Sequence, residues 1–454
     1  MSHLQVIAAV AILKISRAYP YQVIPVDLQT DLVVTSLAYA IVLLLIVGAS
    51  IHAVRTIDRH HRLPGRARRL LLSASWIAFT IHVLHVSLFA TVHLADRVVP
   101  GPETLVELLV LAPMLLVMGA SLWFQYPIER RFWDAMLMRR VDEGEEVFAP
   151  PGRVRFVFDQ FGFNVLLVLT PIIVIGFWLD VVAMTGSTAP WSALWSVLGV
   201  LAVIGSVPLL MRLVLDTVIL GPGDLRTRIL GVFRAQRIPI TNVLVWRTRG
   251  MMMNALIVGV LRPIRYVVLT DVLLESLSDD EIEAVTAHEV GHVRQQHMLW
   301  LAASILAVVF FIAGVFDLVL RHVALPMLEV ELALSVVSLT AVLLVFGVMS
   351  RRFELQADAF AAKHLSGFRR DARRVEVTDE ATASMIEALA TVAAKNHMPL
   401  GRFTFRHGSI RTRIEHLRSL SGMRTDRLRI DRVVRRLQVA VVLGAIFGVG
   451  VMLW

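Results

Sequence analysis

The chain has 454 residues, of which 56% are hydrophobic and 18% are charged. Soluble domains contain about a quarter charged residues, so this composition predicts a polytopic membrane protein. The 45 Lys and Arg residues exceed the 36 Asp and Glu residues and give a net charge of +9, which a membrane protein carries mainly in its cytoplasmic loops. Because there is no cysteine, disulfides, thiolate metal ligands and thiol catalysis are excluded.

Long apolar runs predict seven transmembrane helices of roughly 20 residues each. They lie at residues 32–54, 70–94, 104–124, 163–184, 191–220, 299–320 and 330–350. A last run at 438–454 is shorter, and its length leaves open whether it crosses the bilayer. The apolar run at 6–13 has neither a basic region before it nor a small-residue cleavage site after it, so we expect no removable signal peptide.

Arginine is concentrated in alternate loops, a pattern that predicts the side of the membrane on which each loop lies. The first, third, fifth and seventh loops are arginine-rich, and the loops between them hold almost none. This asymmetry places the arginine-rich loops in the cytoplasm. We expect an integral protein of a bacterial inner membrane. The lipid bilayer is the expected surrounding, no nucleic-acid partner is expected, and the oligomeric state stays open.

The predicted fold is an all-α polytopic membrane protein with a small α+β cytoplasmic domain. That domain is expected to come from two segments separated by two membrane helices. The boundaries are 1–220 for a membrane region of about five spans, 221–298 for the first cytoplasmic segment, 299–350 for the two helices, 351–436 for the second segment and 437–454 for a last hydrophobic helix. Short strands are predicted at 241–246, 254–259 and 265–270, where β-branched residues are frequent.

The motif His288-Glu289-Val290-Gly291-His292 carries the expected chemistry. Two histidines four residues apart lie on one face of a helix, so both can bind one metal ion. Glu289 is then placed to take a proton from a metal-bound water, as in zinc hydrolases. Ser278 and Glu281 form an S-x-x-E capping box, which predicts that the helix begins near Asp279.

A hydrolytic zinc site needs a third protein ligand and one position left for water. In the stretch SRRFELQADAF, Glu354 and Asp358 are four residues apart on a predicted helix and share a face. We assign Glu354 as the third ligand of one Zn²⁺ per chain. Asp358 is expected to accept an N–H from a ligating imidazole and so to fix its tautomer.

Together HEVGH, SRRFELQADAF and the later RHGSIRTRIEHL resemble the membrane zinc endopeptidases that include the type 1 CAAX prenyl protease and the HtpX protease. The resemblance covers residues 254–417, and the second motif, His297 and the seven spans are closer to the CAAX protease branch. It implies that His288, His292 and Glu354 bind the metal and that Glu289 is catalytic. The small α+β domain is therefore expected to be a zincin-like peptidase domain with a peptide or protein substrate as its partner.

Further roles follow from the resemblance alone. It implies that Asp358 is the acid behind a metal ligand and that His407 and Arg413 lie near the substrate. The NALIVG segment is similar to the substrate-binding edge strand of the family, which gives Asn254, Ala255 and Leu256 that role. Gly408 stands where the family usually has proline.

Other interpretations stay open at this point. The protein could be an HtpX-like quality-control protease or an inactive zinc-binding membrane scaffold. An intramembrane-cleaving protease is disfavoured, because the motif precedes the predicted span at 299–320 and is flanked by charge. Arg413 could simply pair with an acid, and His297 is expected to serve the helix end rather than bind metal. For His82, His85 and His93 in the second span, hydrogen-bonded packing is favoured over a second metal site.

Overall fold

A computed structural model describes residues 2–18, 23–60, 65–143, 149–186, 188, 190–249, 252–259, 262–321, 327–367, 376–396 and 398–454. The chain divides into two compact units, Met1–Thr217 and Val218–Trp454. Each unit has its own hydrophobic core. The candidate motifs for metal binding and catalysis all lie in the second unit.

The described part of the first unit is helical. Its helices are α1 (Ser2–Ala18), α2 (Leu28–His60), α3 (Gly65–Phe89), α4 (Thr91–Asp96), α5 (Glu103–Glu143), α6 (Arg153–Phe161), α7 (Leu167–Met184) and α8 (Trp191–Val214). A π-helical turn, Gly162–Leu166, joins α6 to α7. Ala90 adopts a left-handed conformation with φ 52°, which a helix cannot contain, and it separates α3 from α4.

The second unit begins with a four-stranded sheet and its short helices. The strands are β1 (Thr217–Ile219), β2 (Asn242–Trp246), β3 (Ala255–Val258) and β4 (Tyr266–Thr270). Helix α9 (Asp224–Ala235) lies between β1 and β2, a 3₁₀ turn (Arg262–Ile264) precedes β4, and α10 (Asp271–Ser276) follows it. The three predicted strands are confirmed, with ends that shift by one residue.

The sheet order is β1-β2-β4-β3, so β3 is an edge strand. β2 runs parallel to β4, with Asn242 opposite Tyr266, and β3 runs antiparallel to β4, with Ala255 opposite Leu269. All five residues of β4 are buried, as expected for an interior strand, whereas most of β3 is half-buried.

Six helices complete the second unit. They are α11 (Asp279–Arg294), α12 (His297–Leu320), α13 (Met327–Leu365), α14 (Asp379–Lys395), α15 (Ile410–Arg418) and α16 (Arg429–Leu453). Their buried faces form one core with α9 and the sheet; Ile282, Phe353 and Leu417 are nearly inaccessible within it.

Among the described residues, seven helical stretches are long and apolar enough to cross a membrane, which matches the predicted number and an integral membrane protein. Two expectations change. The predicted span at 70–94 ends early, because the chain breaks at Ala90, and its apolar part at 73–89 is shorter than the seven. The C-terminal run is long enough after all, because α16 already begins at Arg429.

Candidate metal centre

Helix α11 carries both histidines of the HEVGH motif on one face. The predicted capping box is present: the Ser278 hydroxyl accepts from the Glu281 backbone N–H, and the Glu281 carboxylate accepts from the Ser278 N–H. This cap fixes the start of the helix, and two turns later His288 and His292 follow one turn apart. Their Nε2 atoms lie 3.2 Å from each other, so the two rings point toward one position.

Helix α13 brings two carboxylates to the same place. Glu354 and Asp358 lie one turn apart on it, and both are buried. Gly291 permits the close packing of the two helices, because a Cβ at this position would lie only 3.1 Å from the Phe360 ring. Gly291 therefore allows the metal-binding faces of α11 and α13 to lie close together.

The three predicted ligands converge. Glu354 Oε2 lies 3.7 Å from His288 Nε2, and Glu354 Oε1 lies 3.8 Å from His292 Nε2. Among the residues that the structure describes, His288, His292 and Glu354 are the only group of three or more potential ligands whose donor atoms all lie within 4.8 Å of one another. Two imidazoles and one carboxylate form a donor set that suits Zn²⁺, so these residues fit the ion.

Asp358 and Arg413 support this ligand set from behind. Asp358 Oδ1 lies 3.0 Å from Nδ1 of His288, the ring nitrogen that faces away from the cluster. Arg413, on α15, donates Nε–H and Nη2–H to the two Asp358 oxygens at 2.8 and 2.6 Å. Its Nη1 lies 3.2 Å from Glu354 Oε2. One buried guanidinium thus compensates two buried carboxylates, which could not otherwise be stable side by side.

Burial shifts the ionisation of the groups on α11. It raises the pKa of the Glu289 carboxyl to about 7, although the nearby His288 opposes the shift. A carboxyl with this pKa can exchange a proton near neutral pH. Burial also lowers the pKa of His292 well below its ordinary value, with His288 adding to the effect. His292 is therefore held as the neutral imidazole that binds metals.

His407 reaches the cluster from a tight turn. Its Nδ1 lies 2.8 Å from Glu354 Oε1, and half of its side chain is exposed. The turn is closed by two backbone hydrogen bonds of 2.9 Å between Thr404 and Gly408. Gly408 has φ +72° and donates its N–H, so a proline would fit neither the angle nor the bond.

Comparisons with known proteins agree with this geometry. Residues 222–421 match the family model of peptidase family M48. This segment, residues 222–421, is similar to peptidase family M48 and is named the M48 segment. The chain is 28% identical over 217 residues to a CAAX prenyl protease 1 homolog of Arabidopsis thaliana, which covers 44% of this chain. The matched region spans about half of that relative, 48% of its length.

The fold has a solved counterpart. The crystal structure of S. mikatae Ste24p matches with a TM-score of 0.52 and 17% identity, covering 85% of this chain and 98% of that one. At this identity the likeness concerns the fold alone. The M48 segment begins after β1 and includes strands β2, β3 and β4, the HEVGH helix and the turn that carries His407.

The predicted substrate-binding residues lie on the free edge of the sheet in the M48 segment. Ala255 and Leu256 belong to edge strand β3, and Asn254 directly precedes it. The Asn254 carbonyl accepts a hydrogen bond from Thr270 N–H, so Asn254 and alternate residues along the strand pair with β4. The backbone groups of Ala255 and Ile257 therefore face outward.

A cavity of about 260 Å³ adjoins the turn that carries His407. It is lined by Val348, Arg351, Arg352, Leu355, Phe403, His407, Gly408, Ser409, Thr412 and Arg413. Two of these residues, His407 and Arg413, also contact Glu354. The cavity thus lies within reach of a substrate held at the cluster.

The sequence analysis did not identify Gln356 and Asp431, which connect to the site through His297. His297 Nδ1 lies 2.9 Å from His292 Nδ1, and its Nε2 lies 3.0 Å from Gln356 Oε1. The Gln356 amide in turn donates to Asp431 at 2.9 Å. Gln356 could have been suspected, because it lies one half-turn from Glu354 in SRRFELQADAF. Asp431, far away in sequence at the start of α16, gives no such signal.

The three histidines of the predicted second span have other partners within the first unit. His85 Nδ1 lies 3.0 Å from the Thr91 hydroxyl, and His93 Nε2 lies 2.9 Å from the Ser16 carbonyl. His82 packs edge-on against the His85 ring. These contacts favour the packing interpretation that the sequence suggested.

Proposed function

We propose that this protein is an integral-membrane zinc metalloendopeptidase, similar to the CAAX proteases, that cuts peptides or membrane-associated proteins at the cytoplasmic face. One observation carries the proposal: the ligand atoms of His288, His292 and Glu354 lie within 4.8 Å of one another, with Glu289 next to them on the helix. A structural or scaffold zinc site does not need this fourth residue, a half-buried carboxyl beside a three-ligand cluster that leaves one coordination position for water.

The chemistry follows from the roles of these residues. When bound, Zn²⁺ would polarise the scissile carbonyl and acidify the attacking water. Glu289 takes the proton of that water and passes it to the leaving amine, a task suited to a carboxyl whose pKa is raised to about 7. His288, His292 and Glu354 hold the ion, and Asp358 keeps His288 in the required tautomer.

His407 and Arg413 take different parts in this proposal. Burial alone would lower the pKa of Arg413, but Asp358 and Glu354 more than offset this and raise it above its ordinary value. Arg413 is engaged by both acids, so its main task is to keep them ionised and in place. His407 is half exposed, and its Nδ1 lies 2.8 Å from Glu354 Oε1. In its imidazolium form, which donates from both ring nitrogens, it can hold Glu354 through Nδ1 and donate from Nε2 to a substrate oxygen in the transition state.

The substrate backbone is proposed to add a strand to the sheet. Edge strand β3 offers the outward backbone groups of Ala255 and Ile257 for pairing with an extended peptide. The Asn254 side chain accepts from the Ala255 N–H at 3.0 Å, so pairing at this residue uses its carbonyl or displaces that bond. Asn254, Ala255 and Leu256 are thus the proposed substrate-binding edge.

Two features support the proposed location and substrate class. The arginine-rich alternate loops favour a cytoplasmic position for the M48 segment, as in a bacterial inner-membrane protein. The relative is named a CAAX prenyl protease 1 homolog, and three of the seven candidate spans, in α12, α13 and α16, belong to the same unit as the cluster, which supports a position close to the bilayer. Peptides attached to or emerging from the membrane are therefore the proposed substrates.

A cleavage assay tests the function. The full-length protein, purified in detergent and loaded with one Zn²⁺, is incubated with a mixture of peptides and with casein, and products are identified by mass spectrometry. We expect internal peptide bonds to be cut, activity to vanish with a chelator and activity to return with added Zn²⁺. A protein that binds Zn²⁺ tightly yet cuts no substrate, prenylated peptides included, would instead be a zinc-binding scaffold.

A further inference from the structure

The two histidine ligands of α11 must both present Nε2 as a lone pair. A neutral imidazole has one N–H and one acceptor nitrogen, so each ring must carry its proton on Nδ1. For His288 the cause is direct, because Nδ1 faces the Asp358 carboxylate at 3.0 Å. For His292 the neighbour is another imidazole, since its Nδ1 lies 2.9 Å from Nδ1 of His297. Either ring could donate in that bond, so something else must decide its direction.

The direction of the bond between His292 and His297 is set by a chain of hydrogen bonds that starts at Asp431 on α16. Its carboxylate can only accept, and it does so from Lys363 Nζ at 2.6 Å and from Gln356 Nε2 at 2.9 Å. The nitrogen of the Gln356 amide must therefore face Asp431, and its carbonyl oxygen must face the other way. Lys363 and Gln356 are both buried, whereas 33% of the Asp431 side chain is exposed.

The direction then passes through His297 to the metal ligand. Gln356 Oε1 can only accept, so His297 Nε2, at 3.0 Å, carries the proton. A neutral imidazole carries a single N–H, so Nδ1 of His297 is left as the acceptor. His292 then donates Nδ1–H to it. The lone pair of His292 is thereby placed on Nε2, the atom that faces His288 and Glu354.

Two features hold His297 in position for this task. Gln296 adopts a left-handed conformation with φ 55°, which breaks the chain between α11 and α12 and turns His297 back beside His292. The His297 ring also stacks on Phe353, with centroids 4.3 Å apart and planes 8° from parallel. Such a conformation costs energy for a residue other than glycine, so the surrounding contacts must maintain it.

We propose that His297, Gln356 and Asp431 are positioning residues, which act as a polarity relay and fix His292 in the tautomer that binds metal. None of the three is a ligand. The proposal rests on the metal role proposed above for His292. It also gives the start of α16 a part in the site, although Asp431 is 139 positions away from His292 in the printed sequence.

A matched pair of variants tests the relay. His297→Asn keeps an acceptor oxygen near the position of Nδ1, whereas His297→Leu has the same shape and no acceptor; both lose the ring stack on Phe353. The affinity of the purified full-length protein for Zn²⁺ is measured by competition with a chelator. We expect His297→Leu to bind Zn²⁺ roughly 10–100-fold more weakly than the wild type, and His297→Asn to recover most of that loss.

The result that overturns the proposal is equal weakening in both variants, because a merely structural role depends on the lost ring and not on the acceptor. A wild-type protein that binds no Zn²⁺ overturns it too, together with the proposed function. If the two variants differ in affinity while the wild type cuts no peptide, the relay stands and the protease function fails. If the wild type cuts peptides and the variants match, only the relay fails.

A second pair avoids His297 altogether. Asp431→Asn and Lys363→Met both remove the ion pair, but only the first changes what Gln356 meets. An asparagine can offer its NH₂ to Gln356 Oε1, which turns the amide around and reverses every bond up to His292. We expect Asp431→Asn to weaken Zn²⁺ binding by about 10-fold or more and Lys363→Met to change it less. The opposite order would contradict the relay.

Discussion

Each unit of the protein buries histidines beside a carboxylate, and the two groups are built for different purposes. In the first unit, Asp31 accepts from Thr35 at 3.0 Å and from Thr91 at 2.6 Å, and His85 contacts the same Thr91 hydroxyl. The Asp31 oxygens are thus used by hydroxyls of the surrounding helices. In the second unit, the Nε2 atoms of His288 and His292 and the Glu354 carboxylate converge on one position, and Glu354 is also contacted by His407 and Arg413.

The two groups differ in whether their acceptor atoms converge on one position. Three lone-pair-bearing groups that converge repel one another unless a cation lies between them, whereas carboxylate–hydroxyl bonds are satisfied without one. In the second unit, the buried Arg413 also holds the carboxylates of Glu354 and Asp358 in place. Burial of histidine and aspartate alone therefore does not indicate a metal site; convergence of their acceptor atoms does.

The largest expected effect separates catalysis from metal binding within the second cluster. Glu289→Gln preserves the shape of the side chain but removes its ability to take a proton. We expect peptide cleavage to fall by about 10²–10⁴-fold, the usual contribution of a general base, while one Zn²⁺ per chain is still bound. Parallel measurement of turnover and of zinc content checks this. Retention of cleavage would show that Glu289 is not the base.

The next prediction compares the two clusters directly. Glu354→Gln replaces a ligand carboxylate with a neutral amide, and we expect the protein to lose most of its Zn²⁺ after dialysis. His85→Gln, the matched change in the first unit, should leave one Zn²⁺ per chain. Metal analysis of the two purified variants and the wild type decides the matter. A wild-type content of two that falls to one in His85→Gln would show that the first cluster is also a metal site.

Much of the second cluster was predictable, because its information is local in sequence. A capping box, two histidines one turn apart and two acids one turn apart each specify a helical face without reference to the rest of the chain. The three strands were equally local. The relay was not predictable, because the polarity of a hydrogen bond depends on its whole chain of partners, and Asp431 joins it only through the packing of α16. The break of the second span at Ala90 likewise leaves no mark in hydropathy.

A third prediction concerns the stability of the compensated acids. Asp358→Asn leaves Arg413 buried with one of its two carboxylates gone, and Asp358 is completely inaccessible to solvent. Breaking a buried charge pair costs about 3–5 kcal/mol, so we expect a clear fall in the unfolding temperature in detergent, even for the zinc-free protein. Asp31→Asn in the first unit is the comparison, and its hydroxyl partners predict a smaller fall. Equal falls in unfolding temperature for Asp358→Asn and Asp31→Asn would show that pairing with the buried Arg413 does not make Asp358 more important for stability.

The smallest expected effect concerns a histidine–carboxylate pair that lies outside both clusters. His364 Nε2, near the end of α13, lies 3.6 Å from Glu283 Oε1 on α11. His364, and to a lesser degree Arg228, hold the pKa of Glu283 below its ordinary value, although burial opposes them. A carboxyl whose folded pKa is depressed stabilises the fold above its unfolded pKa, and that contribution is lost as the pH falls through the folded value.

Glu283→Gln should therefore unfold at a lower temperature than the wild type at pH 7, and this difference in unfolding temperature should disappear on acidification. Thermal unfolding with chelator present, so that zinc release does not contribute, measures the gap, and Glu387→Gln at an exposed position of α14 is the control. If the difference in unfolding temperature between the wild type and Glu283→Gln instead widens as the pH falls, the contact between His364 and Glu283 does not stabilise the fold through an ionised Glu283.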